Sequence, residues 1–323
     1  MNVRRQLIVL GVALANGLGS APLLAQEQYP TKGIKIILAW PAGRGADTST
    51  RQIAARMSPL LGQPIVVENR PGASGIIGTE IASKAAPDGY TLYAGPITSV
   101  AMVPYLYSKL PFNMERDFIP VSQFSMTLVG IAAPPGLPAR NVKELIDLSK
   151  KKPLNIATSG VGSNAHLYAA WFAMLTGANF HYIHYDTTHW GTDLMAGRVD
   201  ATFDGFPAYL GGYKGSKVKV LAVTGKERYR VFPEIAAFVE SGLGEFQPTA
   251  WSGLFAPAGV PRPIIERLAG AVAKAVKSPD LVAQYRAQGT EPVGNTPAEF
   301  AAFVTSEQAK WRKVIRAAGV KLD

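Results

Sequence analysis

The chain alternates between two kinds of apolar pattern. Short continuous apolar runs, fit for buried strands, are followed by longer stretches with apolar residues three and four apart, fit for helices. Residues 34–40 form the first run, and a helix is expected from about 48 to 61 with Asp47 as its N-cap. Residues 65–68 read as a second strand, 76–85 as a helix stopped at Pro87-Asp88-Gly89, and 90–94 as a third strand. Strand–helix–strand–helix–strand order argues for a parallel sheet covered on both faces.

A connecting segment carrying Pro104, Pro111 and Pro120 leads into 121–133, a long apolar run without helical period. After Pro134-Pro135-Gly136 the pattern restarts. Helices are expected at 142–150, 164–175 and 192–196, and strands at 154–158, 180–185, 201–204 and 218–223, the last pair around the glycine-rich 211–215. The tail returns to a strand at 251–256 and to amphipathic helices near 263–276, 280–288 and 297–317. Those helices need a sheet face, and the first lobe is the expected one, since the middle of the chain supplies its own. The fold class is therefore α/β with two lobes: residues 26–124 and 249–323 form the first, 125–248 the second. Loops at the carboxyl ends of facing strands would enclose a ligand cleft.

One stretch, Leu154 to Phe172, stands out chemically. A strand turns into a helix through Ser159-Gly160-Val161-Gly162-Ser163, with two glycines, two serines and little bulk. Such a turn leaves backbone N–H groups uncovered, and the helix start adds unpaired donors and partial positive charge. It is a candidate anion cradle, with Ser163 as N-cap; the alternative is a tight strand-to-helix connection and nothing more.

Composition narrows the setting. With 323 residues, 47% apolar and 17% charged, the chain suits about two globular domains. Arg4-Arg5 followed by an apolar segment and small residues to Ala25 reads as a secretory signal over residues 1–25, which places the mature protein in the periplasm as a monomer. The absence of cysteine excludes disulfides, thiol catalysis, thiolate metal sites and a lipid-anchored cysteine. The formal net charge of +10 is scattered, without a basic stripe interleaved with aromatics, so nucleic acid is not an expected partner.

Several catalytic readings can be weighed on the residues. Gly160-Val161-Gly162-Ser163-Asn164-Ala165 matches the dinucleotide fingerprint, with Asp186 after the next strand, so an exported NAD(P)-dependent oxidoreductase is the competing class. No serine sits in a Gly-x-Ser-x-Gly elbow, so a hydrolase nucleophile has no support. His181 and His184 stand three apart on an expected strand and point to opposite faces, which argues against a shared metal; no metal and no cofactor are expected. His166, just past the cradle, is a candidate cleft residue. Asp204 is the best candidate for an acid that accepts from a ligand donor or a bridging water. Trp40 and Phe206 are the expected aromatic wall, with Trp190 and Trp251 as further rings.

Longer motifs carry a resemblance. Trp40-Pro41-Ala42-Gly43 leading to Asp47, the block Gly62-Gln63-Pro64-Ile65-Val66-Val67-Glu68-Asn69-Arg70-Pro71-Gly72-Ala73, Ala86-Pro87-Asp88-Gly89-Tyr90 and Gly253-Leu254-Phe255-Ala256-Pro257-Ala258-Gly259 stand out. With them, essentially the whole mature chain resembles the Bug family, the substrate-binding receptors of tripartite tricarboxylate transporters. The resemblance implies a type II-like periplasmic binding protein, not an enzyme, whose lobes close over a small carboxylate for delivery to a membrane permease or for report to a sensor. It also implies that main-chain donors and hydroxyls of two facing loops hold the carboxylate. Those loops map to Trp40, Ala42, Gly43, Arg44 and Asp47, and to Ser159, Gly160, Gly162 and Ser163. Three departures fall at strand ends facing the cleft: Arg44 for a usual glycine, Val100 after Thr98-Ser99 for a frequent histidine, and Asp186-Thr187 for Lys-Gly. With the aromatic residues they suggest an aromatic or medium-length dicarboxylate, provided that Arg44 reaches the ligand and not only solvent.

Overall fold

The computed structural model describes residues 29–43, 45–185 and 189–322. The expected signal segment, Arg44, Asp186 and Thr187 lie outside the described residues. The chain opens with β1 (Ile34–Leu38), α1 (Gly45–Leu61), β2 (Ile65–Asn69), α2 (Ile76–Ser83) and β3 (Thr91–Pro96). The three strands pair in parallel around β1, as the strand–helix alternation requires. β1 is buried except at Lys35, and β3 is buried except at its first residue, which matches strands covered on both faces.

Two short helices, α3 (Val103–Leu106) and α4 (Met114–Asp117), precede β4 (Phe118–Thr127) and β5 (Val129–Ala133). The uninterrupted apolar run at 121–133 is thus two strands in different sheets, and the chain crosses between lobes at Leu128. The boundary expected at 124/125 thus falls inside β4 and moves to Leu128; periodicity does not mark the place, because the run is largely buried on either side of it.

The second lobe follows as α5 (Val142–Lys151), β6 (Leu154–Thr158), α6 (Asn164–Thr176), β7 (Phe180–His184), α7 (Trp190–Met195), β8 (Ala201–Gly205), α8 (Leu210–Lys214) and β9 (Lys219–Val223). Its sheet runs β7-β6-β8-β5-β9, with β5 antiparallel to both neighbours. Asn141 caps α5 by accepting from Glu144 N–H at 2.9 Å, and Gly177 ends α6 at a left-handed φ of 68°. The glycine-rich 211–215 segment lies mostly within α8 and is no loop.

The chain then re-enters the first sheet as β10 (Ala250–Pro257), followed by α9 (Arg262–Ala275), α10 (Pro279–Arg286), β11 (Thr290–Pro292) and α11 (Pro297–Ala318). The first sheet runs β11-β4-β10-β3-β1-β2, with β10 antiparallel to β3 and β4. As expected, α9 covers this sheet: Ile265, Leu268 and Val272 share a core with Ile53 and Met57 of α1 and Leu92 of β3. The last helix departs from expectation. Trp311 of α11 packs its ring 5.5 Å from Tyr168 and 5.6 Å from Trp171, both on α6, so α11 rests on the two lobes at once. No helix among the described residues is long and apolar enough to cross a membrane.

Candidate functional site

The carboxyl ends of β1 and β3 face those of β6 and β8 across a cleft of about 1080 Å³. From the first lobe the wall takes Trp40, Gly43 and Thr98, and from the second Ser159, Gly162, Ser163 and Asp204. Both ends are made the same way, by a buried strand that stops at a glycine turn and opens into a helix.

In the first loop Gly43 has a φ of 79°, and its N–H donates to Asp47 Oδ2 at 2.9 Å. Asp47 is therefore not the expected N-cap but a residue within the first turn of α1, and it is buried behind the loop and off the cleft wall. Its Oδ1 accepts from Asn69 Nδ2 at 2.9 Å and from Arg51 Nε at 3.0 Å. Burial opposes ionisation of this carboxyl, but the bonds from Gly43, Asn69 and Arg51 outweigh it and hold the pKa below its ordinary value. Asn69 also donates to Trp40 O at 2.9 Å, so the end of β2 braces the end of β1. Sequence reasoning used Asn69 only as part of a family block and missed this role; an amide at a strand end beside a glycine loop was the available signal.

The second loop is bound from within. Ser163 N–H donates to Gly160 O at 3.2 Å, and Ser163 Oγ caps α6 by accepting from His166 N–H at 3.3 Å. Gly162, with φ at 72°, donates its N–H to His166 Nδ1 at 3.1 Å. The first-turn N–H groups of Asn164 and Ala165 have no intrahelical partner and stand at the positive end of α6. Asn164 Oδ1 accepts from Thr98 Oγ1 at 2.5 Å, a bond that joins the lobes at the cleft and leaves the Asn164 amide hydrogens for other acceptors.

The other expected residues lie elsewhere. His166 is 6% exposed and packs edge-on against Tyr182 and His184, so it stands behind the loop and not in the cleft. Burial, with the His184 charge, pulls its pKa down to about 4, which keeps the ring neutral, and the Gly162 N–H at Nδ1 calls for the tautomer in which Nδ1 accepts. Phe206 is in the core of the second lobe against Phe232 and Tyr209 and is no aromatic wall, because its ring drops below the turn after β8. Ser99 is wholly buried, with its hydroxyl in the space that a Cβ on Gly75 would need. Ala42 and Gly160 are off the wall; Gly160, at a φ of 110°, shapes the turn. Trp40, Trp190, Trp251 and Tyr285 are the aromatic rings among the described residues that line the cleft.

Charge is sparse here. Among the described wall residues only Asp204 and Lys214 are ionisable side chains of the acidic or basic type, and Asp204 accepts from Gly205 N–H at 2.7 Å. Hydroxyls and amides such as Thr48, Ser49, Gln52 and Asn164 make up the polar wall. Such a surface can receive an anion through neutral donors and helix N-termini.

Comparison with known proteins accords with this geometry. BugT of Bordetella pertussis is 33% identical over the full length of both chains. The adipate-bound Rpa4515 structure from R. palustris superposes with a TM-score of 0.83 at 29% identity, over 91% of this chain and 99% of that one. The malate-bound MatC of Rhodopseudomonas palustris gives 0.79 at 29%, over 89% and 100%. The profile of the tripartite tricarboxylate transporter family receptors matches residues 49–320. Two lobes, two glycine turns and a charge-poor cleft thus occur in a chain that belongs to the tripartite tricarboxylate transporter receptor family, a family of Bug-type solute-binding receptors and not of enzymes.

Proposed function

We propose that this chain is a periplasmic receptor that captures a small carboxylate between its lobes and delivers it to a tripartite tricarboxylate-type permease. The observation that carries the reading is the meeting of two helix N-termini, those of α1 and α6, at one cleft whose described wall holds hydroxyls, amides and almost no charge. Relatives with the same fold hold adipate and malate, which supports an aliphatic dicarboxylate or hydroxy-dicarboxylate over an aromatic one. Arg44 stands in sequence between Gly43 and Gly45, which both line the cleft, and it is the candidate partner for a second carboxylate.

A thermal-shift screen of mono-, di- and tricarboxylates on the mature protein tests the reading, since a ligand that binds only the folded state raises the melting temperature. A dicarboxylate is expected to give the largest shift. Arg44→Gly is expected to weaken that dicarboxylate about tenfold, roughly 1.4 kcal/mol, and the matching monocarboxylate less. No shift with any carboxylate would end the proposal. A receptor that reports to a sensor without a permease has the same cleft chemistry, and capture of permease subunits from membrane extract separates the two.

A further inference from the structure

The two cleft loops share a device. In each, a glycine with positive φ gives its N–H to a side chain four residues on, in the first turn of the following helix: Gly43 to Asp47 and Gly162 to His166. A backbone N–H held in this way is turned inward and cannot also donate to a ligand. The loop around it is pinned to the helix, so the remaining donors keep one direction.

We propose that His166 is the positioning residue of the second loop: by accepting the Gly162 N–H it fixes the turn so that Ser163 and the first-turn donors of α6 face the carboxylate. This rests on the carboxylate reading of the cleft. The ring is placed for the task. It is wedged edge-on against Tyr182 at 4.7 Å and His184 at 4.9 Å, and His184 is itself held by Thr158 Oγ1 at 2.7 Å from Nδ1. Behind the glycine, Leu322 and Leu106 approach within 2.9 and 3.1 Å of the space a Cβ would fill, so the turn has packing on its far side as well. The two acceptors differ in charge. Asp47 needs Arg51 and Asn69 beside it, whereas an imidazole with Nδ1 unprotonated satisfies Gly162 without adding negative charge at the end of α6. The second loop is therefore the better seat for an anion.

The test uses calorimetry with adipate and malate on wild type, His166→Leu and His166→Asn. Leucine removes the acceptor; asparagine restores one with the reach that Asp47 shows from the same spacing. Leucine is expected to weaken binding at least tenfold while the protein remains folded, and asparagine to return it to within threefold of wild type. Equal binding by the leucine variant, or an asparagine variant as weak as leucine, overturns the proposal. If wild type binds neither acid, the carboxylate reading itself fails for these probes, and nitrogen-15 NMR of the His166 ring still decides the latch. An Nε2–H tautomer with a slowly exchanging Gly162 amide supports it, and an Nδ1–H tautomer overturns it.

Discussion

Gly43 and Gly162 were both expected to offer N–H groups to a ligand, and each spends that hydrogen on a side chain of its own lobe. What the glycines supply is the positive φ of 79° and 72° that lets a strand turn straight into a helix. The acceptors make the two loops sensitive to acid in the same sense. His166 titrates near 6.5 when unfolded and is held to about 4 by burial and by His184, with Tyr182 the other titratable group against it. A folded pKa below the unfolded one means that the unfolded chain binds the proton first, so stability is complete above about pH 6.5 and falls as the pH drops toward 4. The loss from this group is at most about 3 kcal/mol. Urea melts at pH 7 and 4.5 check it: wild type is expected to lose more stability on acidification than His166→Asn, and equal losses would refute the assignment.

At the scale of elements, the close approach of α11 to the first sheet depends on one residue. A Cβ on Gly253, in the middle of β10, would overlap the ring of Phe300 on α11. Phe300 is fully buried against Trp251 and Phe255, so its ring has no room to withdraw. Gly253→Ala is expected to destabilise by about 1–3 kcal/mol through overpacking, read as a lower urea midpoint at unchanged slope. A midpoint equal to wild type would mean that α11 shifts freely. Glu307 adds polar definition to the same contact, accepting from Trp251 Nε1 at 3.1 Å and from Trp311 Nε1 at 3.3 Å. A capping box of Thr296 and Glu299 starts this helix where the sequence expected it, at 297, but nothing in the sequence said that it would straddle two lobes.

For the whole molecule, the two crossings at Leu128 and before Ala250 leave each lobe with its own sheet, and the proposed capture step predicts closure about them. Tyr168 of α6 donates to Thr249 O at 3.0 Å, which ties the second lobe to the returning strand. Trp40 and Trp190 line the cleft from opposite lobes and make closure visible. A carboxylate at saturating concentration is expected to reduce the radius of gyration in small-angle scattering and to shift tryptophan emission, with the shift reduced in Trp40→Phe. A ligand that binds by calorimetry and changes neither would rule out lobe closure as the capture step.

By itself the sequence determined the longer strands and helices and the α/β class, because buried strands and amphipathic helices each impose a period on neighbouring residues, whereas α3, α4, α8 and β11 are too short to show one. The family blocks likewise specified the cleft loops, since glycine turns are local. What only the tertiary structure decided are the relations across distance. These include the place of the crossing at Leu128, the straddling of α11, the burial of Phe206, and the pairing of Asp47 with Asn69. The turn of His166 from the cleft toward Gly162 belongs with them, although only four residues separate the pair. An apolar run carries the same period on either side of a crossing, and a polar side chain beside a loop can face ligand or backbone at equal spacing. Packing chooses between those alternatives, and packing is not written in any single stretch of the chain.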